Sequence, residues 1–395
     1  MALLIETSTS WGAGLVEGIA AYARQHAAWS LFWEPRGRYD LLRLPADWEA
    51  RGVLARVTHQ ALADDILAAG IPAVDVSWYG YGEGRIPRCT SDECAAGGLA
   101  ARYFLERGFR SFAYCGSPRR PKYVDRFGES FVRELAERGH ACRVFSPDVS
   151  RYADLSWFAQ VGALAEWLES LPKPVGVLAF DDAQGRQVTE ACEYGGMHVP
   201  REVAVLGGEQ DHLSSSLSRP PLSSIDQSPY DVGQQAAALL ARLMQGAPAP
   251  GKPLLLPVHR IITRQSTDTL AVDDELLAAA LRYIRDNCRA RIRVQDVLKS
   301  VPVSRRALEK GFRRLLGRSP AEEIRRARVD LAVELLCTTG WSMPRIASES
   351  GFDRAELLTR AFRRELKTTP SRFRKAHQQQ NAPRPESTDR PPRLP

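Results

Sequence analysis

Five side chains in the first 210 residues stand where short β-branched or aliphatic runs give way to helical spacing: Trp11, Asp92, Asp181, Asp182 and Glu209. A carboxylate accepts two hydroxyl hydrogen bonds, and an indole offers a flat apolar face. Together, at the mouths of parallel strands, such groups suit a small polyhydroxylated ligand, whose hydroxyls donate and whose C–H faces are apolar. An Asp that opens a helix also serves as an N-cap, and a Trp as core filling, so both roles stay open here.

The C-terminal third carries a different chemistry. In SRRALEKGFRRLLG, opened by Ser304, the positions of Leu308, Phe312, Leu315 and Leu316 fall on one helical face. Arg305, Arg306, Glu309, Lys310 and Arg313 fall on the other. In DRAELLTRAFRREL, opened by Asp353, the inner set is Leu357, Leu358, Ala361 and Phe362, and the outer set is Arg354, Glu356, Thr359, Arg360, Arg363 and Arg364. One anchored face and one basic, hydrogen-bonding face is what insertion into a DNA major groove requires. A short helix and a turn precede each: 293–301 with Val301-Pro302-Val303, and 343–350 with Gly351. GFRRLLGRSP and AFRRELKTTP form an internal repeat about 50 residues apart, spaced by an amphipathic helix over 320–336.

The elements that position the first set alternate. Candidate strands at 3–6, 30–33, 52–57, 73–77, 111–115, 142–145, 175–180 and 203–207 are separated by helical stretches at 15–23, 95–105, 131–137, 164–171 and 187–194. That rhythm predicts an α/β fold with doubly wound parallel sheets. Its length predicts two lobes with a ligand cleft between them. After a polar linker at 269–275 the strand signals stop, and 276–376 is helical throughout. The predicted domains are therefore a sensor over 1–268, an all-α unit over 276–376, and a proline-rich tail over 377–395 expected to be disordered.

Charge divides at the same place. Residues 276–376 hold 24 Lys and Arg against 11 Asp and Glu, whereas residues 1–275 hold 27 against 34. A basic block beside an acidic one marks a polyanion partner. The seven cysteines include no CxxC pair, so reduced, mostly buried thiols are expected and a zinc site is not. No apolar run is long enough to span a bilayer, and the start, MALLIETSTSWG, reads as a strand and not a signal peptide, which makes the cytoplasm the expected compartment. There is no GxGxxG after the first strand, no GxxxxGK[ST], no GxSxG and no HExxH, and the seven histidines form no spaced cluster. Neither catalysis, a cofactor nor a metal is expected.

Two resemblances extend this reading. The phrases FRRLLGRSP, IASESGF and FRRELKTTPSRFR resemble the AraC-type double helix-turn-helix domain. That likeness implies base-reading positions at Arg306, Glu309 and Lys310, and at Ala355, Glu356, Thr359 and Arg360, with Arg313, Arg314, Arg363 and Arg364 meeting phosphates. The phrases LLIETSTSWGAGLVEGIAAYAR, CTSDECAAGGLAARYFLERGFRSFAYCG, LAFDDAQGRQVTEACEYGGMHVPREVAVLGGEQ and LSSIDQSPYDVGQQAAALLARLMQG resemble the periplasmic-binding-protein-like sensor of LacI-type regulators. The combination is the layout of the xylose-operon regulator family. It implies a sugar effector, most readily xylose, with Arg126 as a further ligand residue, a homodimer on double-stranded DNA, activation through RNA polymerase, and no membrane. Where relatives carry G-x-D-[DN], this chain has Gly207-Gly208-Glu209-Gln210, a longer carboxylate. A sensor of another small polar ligand, or a carbohydrate-processing enzyme with a DNA-binding tail, remains the alternative.

Overall fold

The computed structural model describes residues 1–26, 29–33, 42–44, 50–116, 123–145, 155–258, 260–268, 275–366 and 368–374. The expected tail at 377–395 and linker positions 269–274 lie outside them. The chain forms two compact units, Met1–Asp273 and Asp274–Pro395.

The first unit holds two lobes, as the strand–helix alternation leads one to expect. In one lobe β1 (Ala2–Leu4), β2 (Phe32–Trp33), β3 (Val53–Ala55) and β4 (Ala73–Asp75) form a parallel sheet in the order β2-β1-β3-β4. The helices of this lobe are α1 (Ser10–His26) and α2 (Gln60–Ala69). α1 packs tightly on α8 (Pro229–Met244): a Cβ on Gly18 would come within 2.0 Å of the Tyr230 carbonyl oxygen. Leu3, Ile5, Leu15, Val74 and Leu240 are fully buried on one face of the sheet, and Leu62, Ala63 and Ile66 of α2 on the other.

The second lobe is a six-stranded sheet in the order β12-β10-β9-β8-β6-β7. Its strands are β6 (Ser111–Cys115), β7 (Cys142–Phe145), β8 (Val175–Ala179), β9 (Val203–Gly207), β10 (Ser223–Asp226) and β12 (Arg260–Ile262). All run parallel except β12, which lies antiparallel to β10. Its helices are α3 (Glu93–Glu106), α4 (Arg126–Ala136), α5 (Trp157–Glu169), α6 (Asp182–Tyr194) and the short α7 (His212–Leu217). Between the lobes, β5 (Cys89–Ser91) pairs in parallel with β11 (Leu254–Leu256).

The strands β6, β7 and β9 coincide with the sequence expectation, because β-branched and aromatic residues fill them. Four strands carried no such signal: β5, β10, β11 and β12. β10 is the instructive case. Ser223 and Ser224 are completely buried, yet they are satisfied by hydrogen bonds from within the lobe, so polar residues occupy a central strand.

The second unit is helical among its described residues: α9 (Glu275–Asp286), α10 (Val294–Ser300), α11 (Arg305–Leu316), α12 (Pro320–Thr338), α13 (Met343–Glu349) and α14 (Ala355–Leu366). No helix among the described residues is long and apolar enough to cross a membrane. The six described cysteines are free; Cys94 is exposed and Cys142 half-buried, the other four buried.

Candidate ligand cleft and nucleic-acid interface

The cleft is built where strand ends of the first lobe meet the second. Trp11, on the first turn of α1, is buried and lies with its ring centre 4.4 Å from that of Trp78. The guanidinium of Arg56, just past β3, lies 5.1 Å from the Trp11 ring centre and 5.6 Å from that of Trp78, and it is ion-paired with Glu6 just past β1. The charge-assisted pair offsets the cost of holding both groups away from water. Trp11 Nε1 and Arg56 Nε are buried and have no hydrogen-bond partner among the described residues. Both are donors only, so each carries a desolvation cost that an incoming acceptor would relieve.

A chain of hydrogen bonds leads across. Trp78 Nε1 donates to Ser91 Oγ (3.2 Å), Ser91 Oγ donates to Gln227 Oε1 (2.6 Å), and Gln227 Nε2 donates to the Gly208 carbonyl (2.6 Å). Ser10 of the first lobe donates to Asp211 of the second (2.7 Å). Trp78, Arg88, Thr90, Asp92, Glu93 and Arg126 are among the residues around a cavity of about 30 Å³. The Thr90 hydroxyl is another buried group without a hydrogen-bond partner among the described residues. Tyr123 donates to Glu93 (3.0 Å), and its ring rests on Tyr79 and Phe180. Burial pushes the Glu93 carboxyl up to about 7, and hydrogen bonding by Tyr123 opposes the shift.

The structure thus brings together Trp11, Asp92 and Arg126 of the residues singled out by sequence. Asp92 caps α3 by accepting from the Ala95 N–H (2.9 Å) with one oxygen. Arg126 is exposed at the start of α4. Glu209 is half-buried in the turn after β9, where its carbonyl accepts from the Asp211 N–H. Asp181 caps α6 through the Gln184 N–H (2.8 Å).

Asp182 is placed differently from its expected position at a strand mouth facing the cleft. It is completely buried inside the second lobe, and its Oδ2 accepts from Ser224 Oγ (2.6 Å), Ser215 Oγ (3.0 Å) and the Asp211 N–H (3.0 Å). Its Oδ1 has no partner among the described residues. Burial raises its carboxyl to about 7, opposed by those donors. The reason lies in β10 and α7, whose serines turn inward to meet it, leaving Leu213 and Leu217 of α7 exposed. Glu6, Arg56, Trp78, Ser91 and Gln227 were missed by the sequence reading. The available signal for Glu6 and Arg56 was their place at the ends of the 3–6 and 52–57 apolar runs.

In the second unit α11 and α14 bury equivalent positions fifty residues apart. Leu308, Gly311 and Phe312 are buried in one; Leu358, Ala361 and Phe362 in the other. The outward residues are likewise equivalent: Arg306, Lys310 and Arg313 are exposed, as are Glu356, Arg360 and Arg363. Arg305 is exposed and ion-paired with Glu309 (3.2 Å), which is half-buried. Thr359 is half-buried and donates to the Ala355 carbonyl. Ser304 caps α11 through the Ala307 N–H.

Two expectations change here. Leu357 is exposed, not inward, because α14 begins at Ala355 and turns it out. Asp353 pairs with Arg291 (3.1 Å), and the carbonyl of exposed Arg354 starts the helical hydrogen bonds. Arg364 reaches back to Glu322 of α12 (3.1 Å), and Arg325 to Glu365 (2.8 Å), so α12 and α14 are tied by charge as well as by packing.

Known proteins match along the same lines. A model for a periplasmic binding protein-like domain matches residues 101–267, and one for a helix-turn-helix domain matches 297–376. The chain is 29% identical over 380 residues to the xylose operon regulatory protein of Escherichia coli strain K12, covering 94% of this chain and 96% of that protein. It is 29% identical over 386 residues to the protein of the same name from Haemophilus influenzae, covering 95% and 97%. Among solved structures, the xylose-binding transcription activator XylR aligns over 95% of this chain and 97% of that one, with a TM-score of 0.61 at 28% identity. The chain is thus similar along nearly its whole length to the xylose operon regulatory proteins, and it joins a periplasmic-binding-protein-like domain to a helix-turn-helix domain of AraC type.

Proposed function

We propose that the chain is a transcription regulator, an activator, that binds double-stranded DNA and responds to a sugar, with xylose as the effector. The observation that carries the reading is that one chain joins a two-lobed cleft of hydroxyl-reading groups to a repeated pair of outward basic helices, colinear with the xylose operon regulators over 94% of its length. In this reading it works in the cytoplasm as a homodimer, engages RNA polymerase, needs no cofactor and turns over no substrate.

The cleft's indoles supply the apolar platform. Arg56, Arg126, Glu6, Asp92 and Glu209 supply hydroxyl partners, and the orphan donors Trp11 Nε1 and Arg56 Nε take sugar oxygens. A cavity of about 30 Å³ has room for roughly two waters. Small-molecule sites run to about 300 Å³ or more, so sugar entry requires the lobes to part and reclose. Effector binding then selects one lobe arrangement, and that bias acts on DNA binding. Asp181 and Asp182 act one step back. The first holds the start of α6, and the second ties α6 to α7 and β10. Arg305, Arg306, Glu309, Lys310, Glu356, Thr359 and Arg360 face bases. Arg313, Arg354 and Arg363 face phosphates.

Thermal unfolding of the chain with and without pentoses and hexoses tests this, since a native-state ligand raises the melting temperature. Xylose should raise it and change affinity for promoter DNA without being consumed. Consumption of the sugar would move the chain to the carbohydrate-processing alternative. A rise with a different polar compound alone would remove xylose as effector.

A further inference from the structure

The sensor unit is acidic overall, yet one pole of its second lobe is not. Arg102 and Arg110 flank the end of α3 and the start of β6, and Arg138 and His140 follow α4 and precede β7. With Leu105 and Glu106 they line an open groove of about 410 Å³. Arg102 and Arg138 share one carboxylate, Glu134, at 3.2 and 2.9 Å, and both keep nearly half of their side-chain surface in solvent. Arg110 is exposed, its Nη1 donating to the Phe109 carbonyl. Counting Arg107, whose guanidinium lies over the Tyr103 ring, four guanidiniums stand here against Glu106 and Glu134. The His140 imidazole is held below its ordinary basicity, first by burial and then by the charge of Arg110.

The position of this groove matters as much as its charge. Parallel strands β6 to β10 start at this pole and end at the ligand cleft. β12 runs antiparallel, so the chain returns to the starting pole as it leaves the sheet. There Thr263 bonds Tyr103 (2.9 Å) and Arg107 (3.4 Å), and Thr267 bonds Tyr103 (2.6 Å). The segment that continues into the basic helical unit is thus anchored on α3, the helix that carries Arg102.

We propose that this arginine groove is a second, sequence-independent DNA contact, in which the sensor itself binds phosphates of the duplex that the helix-turn-helix unit reads. The inference rests on the DNA-binding reading above. Guanidiniums around an open groove match the spacing tolerance and charge of a phosphate backbone, and each phosphate they neutralise releases counterions. It also gives the sensor's conformation a direct way to alter DNA affinity, since α3 connects the groove to Asp92 at the cleft.

The test uses the full chain and a mixed-sequence DNA duplex, with affinity measured over a series of salt concentrations. Arg102→Gln, Arg110→Gln and Arg138→Gln together should lower the slope of log affinity against log salt by up to about 0.9 for each phosphate that is no longer neutralised. Arg110→Gln alone, which breaks no ion pair among the described residues, gives the same readout at a single phosphate if the triple variant melts early. A slope equal to that of the unaltered chain in a folded variant overturns the proposal. Saturable binding of inorganic phosphate that raises the His140 titration midpoint, with the DNA slope unchanged by the substitutions, assigns the groove to a small anion and overturns it too. If the unaltered chain shows no salt-dependent DNA binding, the regulator reading itself fails, a result distinct from a change confined to the groove.

Discussion

The two units are filled in different ways. The sensor's interior holds Asp75, Ser77, Thr90, Ser91, Asp182, Ser223, Ser224, Ser266 and Thr267, all at most 3% exposed. The helical unit's described interior holds Glu323 and Ser350 as its buried polar side chains, and otherwise apolar residues. A polar interior orders its elements only where each donor finds its acceptor, so it is specific and sensitive to protonation. An apolar interior is set by periodicity and volume, and tolerates changes of pH. Sensing and reading are thereby divided: hydrogen-bonded polar groups run through the apolar core of the part that must respond, and the part that must keep a fixed spacing between two helices is held by packing with few buried polar side chains.

The largest expected effect lies in the apolar unit. Phe312 and Phe362 occupy equivalent positions and are both essentially unexposed. Each truncation to Ala should cost about 3–5 kcal/mol of that unit's stability, read from denaturant unfolding. A cost below about 1 kcal/mol at either site would mean that its repeat is held by something other than its core phenylalanine.

The same contrast explains what was legible in the chain. In the helical unit, apolar spacing and the repeated phrase located both outward helices and the spacer between them; only the register of Leu357 and Asp353 escaped, because a helix start is decided by one or two local hydrogen bonds. In the sensor, strands rich in Val, Ala and Leu were legible. β10 was not, since its serines look like a turn until their partners Ser266, Thr267 and Asp182 arrive from elsewhere in the chain. The cleft was half legible for the same reason: Trp11, Asp92 and Arg126 stand at readable positions, while the Glu6–Arg56 pair and the Trp78–Ser91–Gln227 chain exist only through contacts distant in sequence.

Protonation should separate the two interiors next. Burial raises the carboxyl of Asp182 from 3.8 to about 7 in the folded sensor. Between those values the folded chain holds a proton that the unfolded chain has lost, so this group's contribution falls as pH rises through the window. Glu322 in the helical unit behaves oppositely: its carboxyl is held below 4.5 by the Ser319 N–H and hydroxyl, and its contribution is lost as pH falls. Asp182→Asn should therefore flatten the decline of sensor melting temperature between about pH 4 and 7, leaving the helical unit's profile as it was. An unchanged sensor profile would show that Asp182 stays ionised in its burial site.

On the surface of the helical unit, equivalence of position does not mean equivalence of role. Arg360→Ala should remove a base contact and relax preference at one position by about 1–3 kcal/mol of discrimination, as should Arg306→Ala at another. Arg363→Ala and Arg313→Ala should weaken all sequences alike and lower the salt slope. Binding measured against a panel of single-base variants of one site decides it. Uniform losses for all four would erase the distinction between reading and positioning.

The smallest effect tests the repeat at its finest grain. Ser319 opens α12 and Thr369 stands fifty residues on, each followed by proline. Both hydroxyls accept from the N–H three residues later, Glu322 at 3.3 Å and Arg372 at 3.3 Å. Only at Ser319 is the bond returned, by Glu322 accepting from the Ser319 N–H (2.9 Å), which completes a capping box. Removing a cap hydroxyl costs about 1 kcal/mol. Ser319→Ala disrupts a reciprocal pair at the head of a 19-residue helix that both repeats pack against, so it should cost about that much or slightly more. Thr369→Ala should cost less, since Arg372 returns no bond. Denaturant midpoints of the two variants, at constant slope, give the comparison directly. If Thr369→Ala proves the costlier, the second repeat depends on its terminal turn more than on the long helix, and the spacing between the two reading helices is set from that end.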